Sequence, residues 1–451
     1  MLKMTVRQIV QESGGHVICG DLEKYGDRVI SGIGFDSRKM DGSQAFAPIV
    51  GERVDAHGFI GKVLSEACCV SFSEKDETGY NGDKIIIRVD GTLDAVHKLA
   101  AACRKDIHVP VIGVTGSVGK TTTRRMIAQA LSAGKKVYET AGNANSQIGV
   151  PGTIFGFDET SDIAVLEMGM SMPGEMEKLA ETVRPEAAVF TNIGITHIEN
   201  LGSRENILKE KMHITDYIPD GGPVFINNDN ELLQNAAFRK GIRVLRYSLN
   251  PGTDVFAENI TRENGCPVFT ADVFGRKVRV ALKVFGNHYI MNALAALGVC
   301  SVYGVGLKEA ADRLSEYAGY AHRQQVLCVN GITVIDDSYN AAPDSMKAAL
   351  DVLSDCSCGG RKIAVLADMK ELGEMSESAH REVGSYAQEK GLDEIITYGP
   401  LARMICDRKH FSDRERLKQY ILDTAQPGDA VLFKGSNSMK LWEIITDMQT
   451  S

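Results

Sequence analysis

The sequence predicts an α/β protein of three domains, and three observations carry that prediction. The chain has 451 residues, about three times the roughly 150 residues of a typical domain. Apolar runs alternate with glycine-rich turns and helical stretches, as in VIGVTGSVGKTTTRRMIAQAL and DIAVLEMGM followed by GEMEKLAETV, a pattern that builds parallel strands with crossover helices. The composition is 43% apolar and 24% charged, ordinary for a folded globular chain and far from the low-hydropathy composition of disordered segments.

Residues 1–90 alternate short apolar runs with Gly and Asp turns (GHVICGD, GIGFDSR, QAFAPIVGERVD) and end in KIIIRV, so they read as a small α/β domain. Residues 91–320 form the central domain. Leu93, Val96, Leu99, Ala100 and Cys103 fall at helical spacing and open it; VIGVTG follows as a buried strand. Residues 321–451 repeat the pattern with ITVIDDS, KIAVLADM, EIITYG and AVLFKGS, which reads as a third, Rossmann-like domain.

Charge and cysteine content exclude several functions. Fifty basic against 59 acidic residues give a net charge of −9, which repels nucleic acid and anionic membranes, so an anionic ligand needs a local site. Ten cysteines are too sparse for a disulfide scaffold and lack zinc-type CxxC pairs, so they read as reduced thiols. The first residues carry no apolar signal core, and the quiet stretch from Ala293 to Leu307 is interrupted by Ser301, Tyr303, Gly304 and Gly306. The expectation is a cytoplasmic chain without membrane insertion.

The strongest chemical signal is TGSVGKTTT between the strand VIGV and an amphipathic helix. A glycine-rich turn there lets backbone N–H groups and the helix N-terminus wrap phosphate oxygens, while Lys120 adds charge and the Thr121 hydroxyl can ligate Mg²⁺. Thr115, Gly116, Ser117, Gly119 and Thr122 complete this P-loop, with Val114 where the first glycine of the general pattern falls. Glu167 ends the strand DIAVLE; it reads either as a solvent-facing strand-end carboxylate or as the acid that holds a metal opposite the phosphate loop. Alone, His197 in TNIGITHIEN reads as a loop or core histidine, and Lys211 in ILKEKMHI as a solvated helix lysine. Asn287, His288 and Asn292 precede and enter a helix of small residues, where amides serve an adenine edge or a helix cap. In DDSYNAAPDSM, adjacent acids leave a strand just before a helix start at Pro343 and Asp344.

Taken together, TGSVGKTTT, TAGNANSQIGVPGT, the strand-end Glu167, TNIGITHIENLGS with Lys211, GNHYIMNALAA, HRQQ, DDSYNAAPDSM and ADMKELGE resemble, in that order and over nearly the whole chain, the Mur ligases of peptidoglycan synthesis. DDSYNAAPDSM with LADMKELGE resembles the branch that adds D-alanyl-D-alanine to UDP-N-acetylmuramoyl-tripeptide, and the DNPR-type motif of the diaminopimelate-adding branch is absent from the sequence.

The resemblance implies an ATP-dependent ligase working through an acyl phosphate with two Mg²⁺ ions. It implies Thr121 and Glu167 as ligands of one ion, His197 and a carbamylated Lys211 as ligands of the other, and Lys120 on the phosphates. Asn292 is implied at the adenine, where the local pattern also puts Asn287 and His288, with Arg323 implied at the γ-phosphate and Asp337 at the ribose. Ser37, Arg38 and His57 are implied for the uridine nucleotide, Thr140, Asn143 and Asn145 for the muramoyl portion, and Tyr339 and Asn340 for the dipeptide. A monomer is expected. Two other readings stay open: a neighbouring Mur or folylpolyglutamate-type ligase, and a regulatory P-loop ATPase, although no NKxD base-recognition string follows the loop.

Overall fold

The computed structural model describes residues 3–51, 54–76 and 83–450. Its centre is a nine-stranded sheet in the order Val137–Glu139, Ile163–Glu167, Val111–Thr115, Ala187–Phe190, Pro223–Asn227, Arg243–Ser248, Val255–Glu263, Cys266–Val273 and Arg276–Ala281. The first seven strands run parallel, and each of the last two pairs antiparallel with the strand before it. The phosphate-loop strand, Val111–Thr115, is fully buried and lies between Ile163–Glu167 and Ala187–Phe190. A crossover leaves it on each side, so its carboxyl end is the crevice where open α/β sheets take ligands.

The antiparallel edge departs from the repeating parallel pattern that the sequence suggested. Its cause is local: Asn264–Gly265 and Phe274–Gly275 all have φ between 52° and 80°, the left-handed pairs that close two-residue hairpins. Helix Lys120–Leu131 follows the phosphate loop and packs on helix His288–Val302, which is buried on nearly every side. The alanines of that second helix permit the close approach, and Ile290, Leu294 and Leu297 anchor it, each contributing about 1.5–3 kcal/mol on full burial.

A smaller five-stranded sheet, Gly32–Gly34, Gln44–Phe46, Val70–Ser73, Ile85–Arg88 and His16–Cys19, precedes the central one. Helix Thr92–Asp106, anticipated from its apolar spacing, packs on helix Val6–Ser13 on one side and on Gly149–Phe155 and Glu175–Val183 on the other. One continuous apolar core therefore joins the first two sheets.

The last sheet has six strands in the order Gln325–Val329, Ile332–Asp337, Ala430–Lys434, Lys362–Ala367, Glu394–Tyr398 and His410–Phe411, parallel except for the first pair. Helix Pro343–Asp355 begins with proline at its first turn, as the sequence predicted. Cys68, Cys69, Cys103, Cys266, Cys300, Cys328, Cys356, Cys358 and Cys406 are free thiols. Among the described residues no helix is long and apolar enough to cross a membrane.

Candidate active site

A cavity of about 680 Å³ lies where the carboxyl edge of the nine-stranded sheet faces that of the six-stranded sheet. Its floor is the phosphate loop. Gly116 (φ 150°) is pressed against the neighbouring strand end: a Cβ there would stand 1.9 Å from Thr191 Oγ1. Gly119 (φ 85°) turns the chain into helix Lys120–Leu131, a backbone state that glycine adopts without steric cost. The loop is clamped from the Thr191–Gly194 side. Ser117 N–H donates to Asn192 O (3.0 Å), Val118 N–H to Asn192 Oδ1 (2.8 Å), and Gly194 N–H to Ser117 Oγ (3.0 Å).

Lys120 folds over this loop and donates to Gly116 O (2.8 Å) and Ser117 O (3.3 Å). Burial lowers its pKa, opposed by the charge of Glu167, so an arriving polyphosphate meets a poorly solvated cation. Glu167 itself is 1% exposed. Its Oε1 accepts from Asn145 Nδ2 at 2.6 Å, and its strand is held by Glu167 N–H donating to Thr140 Oγ1 at 2.9 Å.

Two buried oxygens beside the phosphate loop, Thr121 Oγ1 and Glu167 Oε2, have no hydrogen-bond partner among the described residues. Orphaned acceptors of this hardness fit Mg²⁺. No group of three or more His, Cys, Asp or Glu able to hold a metal occurs among the described residues.

Lys211 sits in the last turn of helix Arg204–Met212, which Ser203 caps by accepting from Asn206 N–H. It is 1% exposed, and burial, reinforced by the charge of Lys120, drives its pKa well below the ordinary lysine value. The solvated lysine expected from its isolated sequence context is thus replaced by a buried one. His197 lines the cavity in a left-handed conformation (φ 64°), with Nδ1 2.7 Å from Glu371 Oε2 across the cleft. That is ion-pair distance, although the two groups are not aligned as a hydrogen bond.

The opposite wall comes from the third sheet. Arg323 stacks on the Tyr339 ring at 4.0 Å, and its buried Nε has no hydrogen-bond partner among the described residues. The flanking His322 and Gln324 have φ of 60° and 51°. They are held by the adjacent acids: His322 Nδ1 lies 2.7 Å from Asp336 Oδ2, and Gln324 N–H donates to Asp337 Oδ1 at 3.2 Å. Asp337 also takes Lys434 Nζ at 2.6 Å, and Lys434 donates to Asn340 O at 3.0 Å.

Ser117, Gly119, Lys120, Thr121 and Thr122 line this cavity, as do Asn145, Glu167 and His197 from the central sheet. His288, Asn292, Arg323, Asp337, Tyr339 and Asn340 face them. Asn292 Oδ1 accepts from Thr123 Oγ1 at 2.9 Å, and Asn287 is the N-cap residue of helix His288–Val302 without a side-chain cap bond.

Other expected residues stand apart. Thr140 is buried beneath Glu167, Asn143 is exposed, and Arg38 pairs with Asp36 on an exposed turn that also carries Ser37. His57 is committed internally: its Nδ1 lies 2.6 Å from Asp55 and its Nε2 accepts from Glu74 N–H at 3.1 Å.

Sequence reasoning missed Arg124, Asn192, Glu371 and Lys434. Arg124 is fully buried under Glu167 and donates to Glu139 Oε2 (2.5 Å), Thr140 O (2.5 Å) and Gly142 O (3.3 Å). Asn192 joins the phosphate loop to the first turn of helix Pro343–Asp355, because its Nδ2 donates to Asp344 Oδ2 at 3.3 Å. The available signals were a lysine ending the strand AVLFK and a glutamate inside ADMKELGE.

Comparison with known proteins agrees with this geometry. Residues 114–300 match the Mur ligase middle domain and residues 322–437 the Mur ligase glutamate ligase domain. The UDP-N-acetylmuramoyl-tripeptide–D-alanyl-D-alanine ligase of Bacillus subtilis is 35% identical, with 99% of each chain covered. A crystal structure of MurF from Acinetobacter baumannii superposes with a TM-score of 0.89 at 28% identity, covering 100% of this chain and 99% of that one. MurF ligase from Thermotoga maritima, solved in complex with ADP, gives 0.82 at 28% identity over 93% and 96%. The chain belongs to the Mur ligase family of ATP-dependent amide ligases.

Proposed function

We propose that this chain joins D-alanyl-D-alanine to UDP-N-acetylmuramoyl-tripeptide at the expense of ATP, as a cytoplasmic step of peptidoglycan precursor synthesis. The observation that carries the reading is one cavity with the phosphate loop and the orphaned Thr121 and Glu167 oxygens on one wall and Arg323, Tyr339 and Asn340 on the other. The full-length likeness to a ligase named for these substrates supports it.

The chemistry follows from the leaving group. An ionised carboxylate does not react with an amine, so the γ-phosphoryl group of ATP passes to a tripeptide carboxylate oxygen, giving an acyl phosphate and ADP. The dipeptide amine then attacks the acyl carbon; phosphate leaves and the nitrogen loses its proton. Lys120 and the loop N–H groups offset the repulsion of two anions. Two Mg²⁺ ions would supply Lewis-acid stabilisation, one held by Thr121 and Glu167, the other by His197 and a carbamylated Lys211. Burial disfavours the ammonium form of Lys211; the free amine is the form that reacts with CO₂, and a carbamate would replace a repelled cation by oxygen donors.

His288 and Asn292, at the wall beside helix Lys120–Leu131, serve the adenine, with Asn287 at the start of their helix. Asp337 serves the ribose, and Arg323 reaches the γ-phosphate. Ser37, Arg38 and His57 serve the uridine nucleotide, with His57 acting through the loop it braces. Asn143 and Asn145 serve the muramoyl portion, and Thr140 acts by holding Glu167. Tyr339 and Asn340 receive the dipeptide.

Division of the chain at 90/91 and 320/321 and a monomeric state belong to the same reading. ADP release assayed with each substrate omitted in turn tests it: release is expected only with both present, and D-alanyl-D-alanine should outcompete a panel of L-amino acids. Turnover indifferent to the tripeptide, or a preference for a single L-amino acid, would overturn it.

A further inference from the structure

Glu371 has no part in the roles assigned above, yet it reaches the ligand edge of a sheet to which it does not belong. It follows strand Lys362–Ala367 of the six-stranded sheet and sets Oε2 2.7 Å from His197 Nδ1. Both residues have left-handed backbones, φ 65° for Glu371 and 64° for His197. Such a conformation is unfavourable for a non-glycine residue and persists where the surroundings impose it.

The contact is part of a seated loop. The turn Gly373–Met375 packs on helix Ile198–Leu201, immediately after His197. Gly373 (φ 50°) approaches so closely that a Cβ there would stand 3.2 Å from both Cα and Cβ of Glu199. This segment is ADMKELGE, a motif that the nucleotide and substrate assignments leave unused.

We propose that Glu371 is a positioning residue: delivered by the third domain, its carboxylate holds the His197 imidazole through Nδ1, so that Nε2 is the nitrogen presented to a divalent cation. An imidazole binds a cation through one nitrogen only when the other carries the proton, and a carboxylate at that second nitrogen selects the tautomer and fixes the ring. Because the carboxylate belongs to another sheet, the ligand set is oriented only while the 370–375 loop is seated. Docking of the third domain and assembly of the metal site become one event. A plain surface ion pair of this exposure would add little to stability and leave metal affinity untouched, which separates the two descriptions.

The inference rests on His197 as a metal ligand, and the test keeps the two apart. Glu371→Ala, Glu371→Gln, His197→Ala and the double variant Glu371→Ala/His197→Ala are compared in the full chain. One readout is the Mg²⁺ concentration that half-saturates ADP formation. The other, which needs no turnover, is the thermal stabilisation by ADP with Mg²⁺ less that by ADP with EDTA.

Glu371→Ala is expected to raise the half-saturating Mg²⁺ about tenfold, to shrink the Mg²⁺-dependent stabilisation, and to leave stabilisation by ADP in EDTA unchanged. Glu371→Gln keeps the shape but not the charge beside Nδ1, and recovers little of the effect. In the His197→Ala background the change at 371 adds nothing. If His197→Ala shifts both readouts while Glu371→Ala shifts neither, or if the two changes add independently, the positioning role falls and the ligand role stands. If His197→Ala shifts neither readout, both fall.

Discussion

Asn145 Nδ2 lies 2.6 Å from Glu167 Oε1, while the second oxygen of that buried carboxylate has no hydrogen-bond partner among the described residues. One oxygen is thus fixed by the loop that precedes helix Gly149–Phe155, and the other, 3.7 Å from Arg124 Nε, is left without a hydrogen bond on the cavity that Thr121 also lines. If the bare oxygen is a cation ligand, Glu167→Gln should lower turnover at least about 100-fold, within the several kcal/mol a bound cation supplies to a transition state. Mg²⁺ titration of ADP release measures this; parent-like Mg²⁺ dependence in the variant would contradict it.

Arg124 supports the same carboxylate from below. It binds Glu139, Thr140 O and Gly142 O, and its Nε lies 3.7 Å from Glu167 Oε2. Arg124→Met strips a buried cation from two acids and two carbonyls, so urea unfolding should show a loss of at least about 3 kcal/mol. Arg124→Lys should recover only part, because one ammonium cannot span the planar fork.

Lys211 is buried and its ammonium form is disfavoured by burial and by Lys120. Enzyme kept with ¹³C-labelled bicarbonate should show a carbamate carbon resonance that Lys211→Ala abolishes, and rigorous removal of CO₂ should lower turnover. An unchanged spectrum in Lys211→Ala would place the carbamate elsewhere.

Two histidines, the buried His97 and the half-buried His288, set an acid limit on the fold. Burial pushes the imidazoles of His97 and His288 from 6.5 down to about 4. Above pH 6.5 neither folded nor unfolded chain protonates them, so they add no slope. Between 6.5 and 4 the unfolded chain binds protons that the folded chain does not, and stability falls with pH. His97 Nδ1 faces Thr182 Oγ1, which donates its own proton to Lys178 O, so Nδ1 carries the hydrogen. His97→Gln can keep a donor to Thr182 and should reduce the fall in unfolding free energy from about pH 7 to about pH 4 by about 2 kcal/mol. Equal slopes in urea unfolding would contradict it.

The phosphate loop was legible because it is written in consecutive residues: an apolar strand, GSVGKT and an amphipathic helix need no distant partner to be read. The same holds for helix Thr92–Asp106 and for Pro343 at its helix start. The hairpin at Asn264–Gly265 has a local turn signal, an Asn-Gly pair, but it sits within a segment whose repeating parallel pattern is the stronger signal. Arg124, Asn192 and Glu371 were illegible for another reason. Each acts through a contact with a segment remote in sequence, and nothing in its neighbours reveals the partner. Thr140 and His57 were found by resemblance, but the structure shows their polar atoms bonded to Glu167, Asp55 and Glu74.

The central claim is that the cradle around Lys120 makes a peptide carboxylate reactive by phosphorylating it. The direct measurement is formation of ligated product by Lys120→Ala at saturating ATP, UDP-N-acetylmuramoyl-tripeptide and D-alanyl-D-alanine, with circular dichroism showing that the variant is folded. The account predicts a loss of at least about 1000-fold in rate, with ADP and product falling together. Ligation by that variant at the parent rate would contradict it.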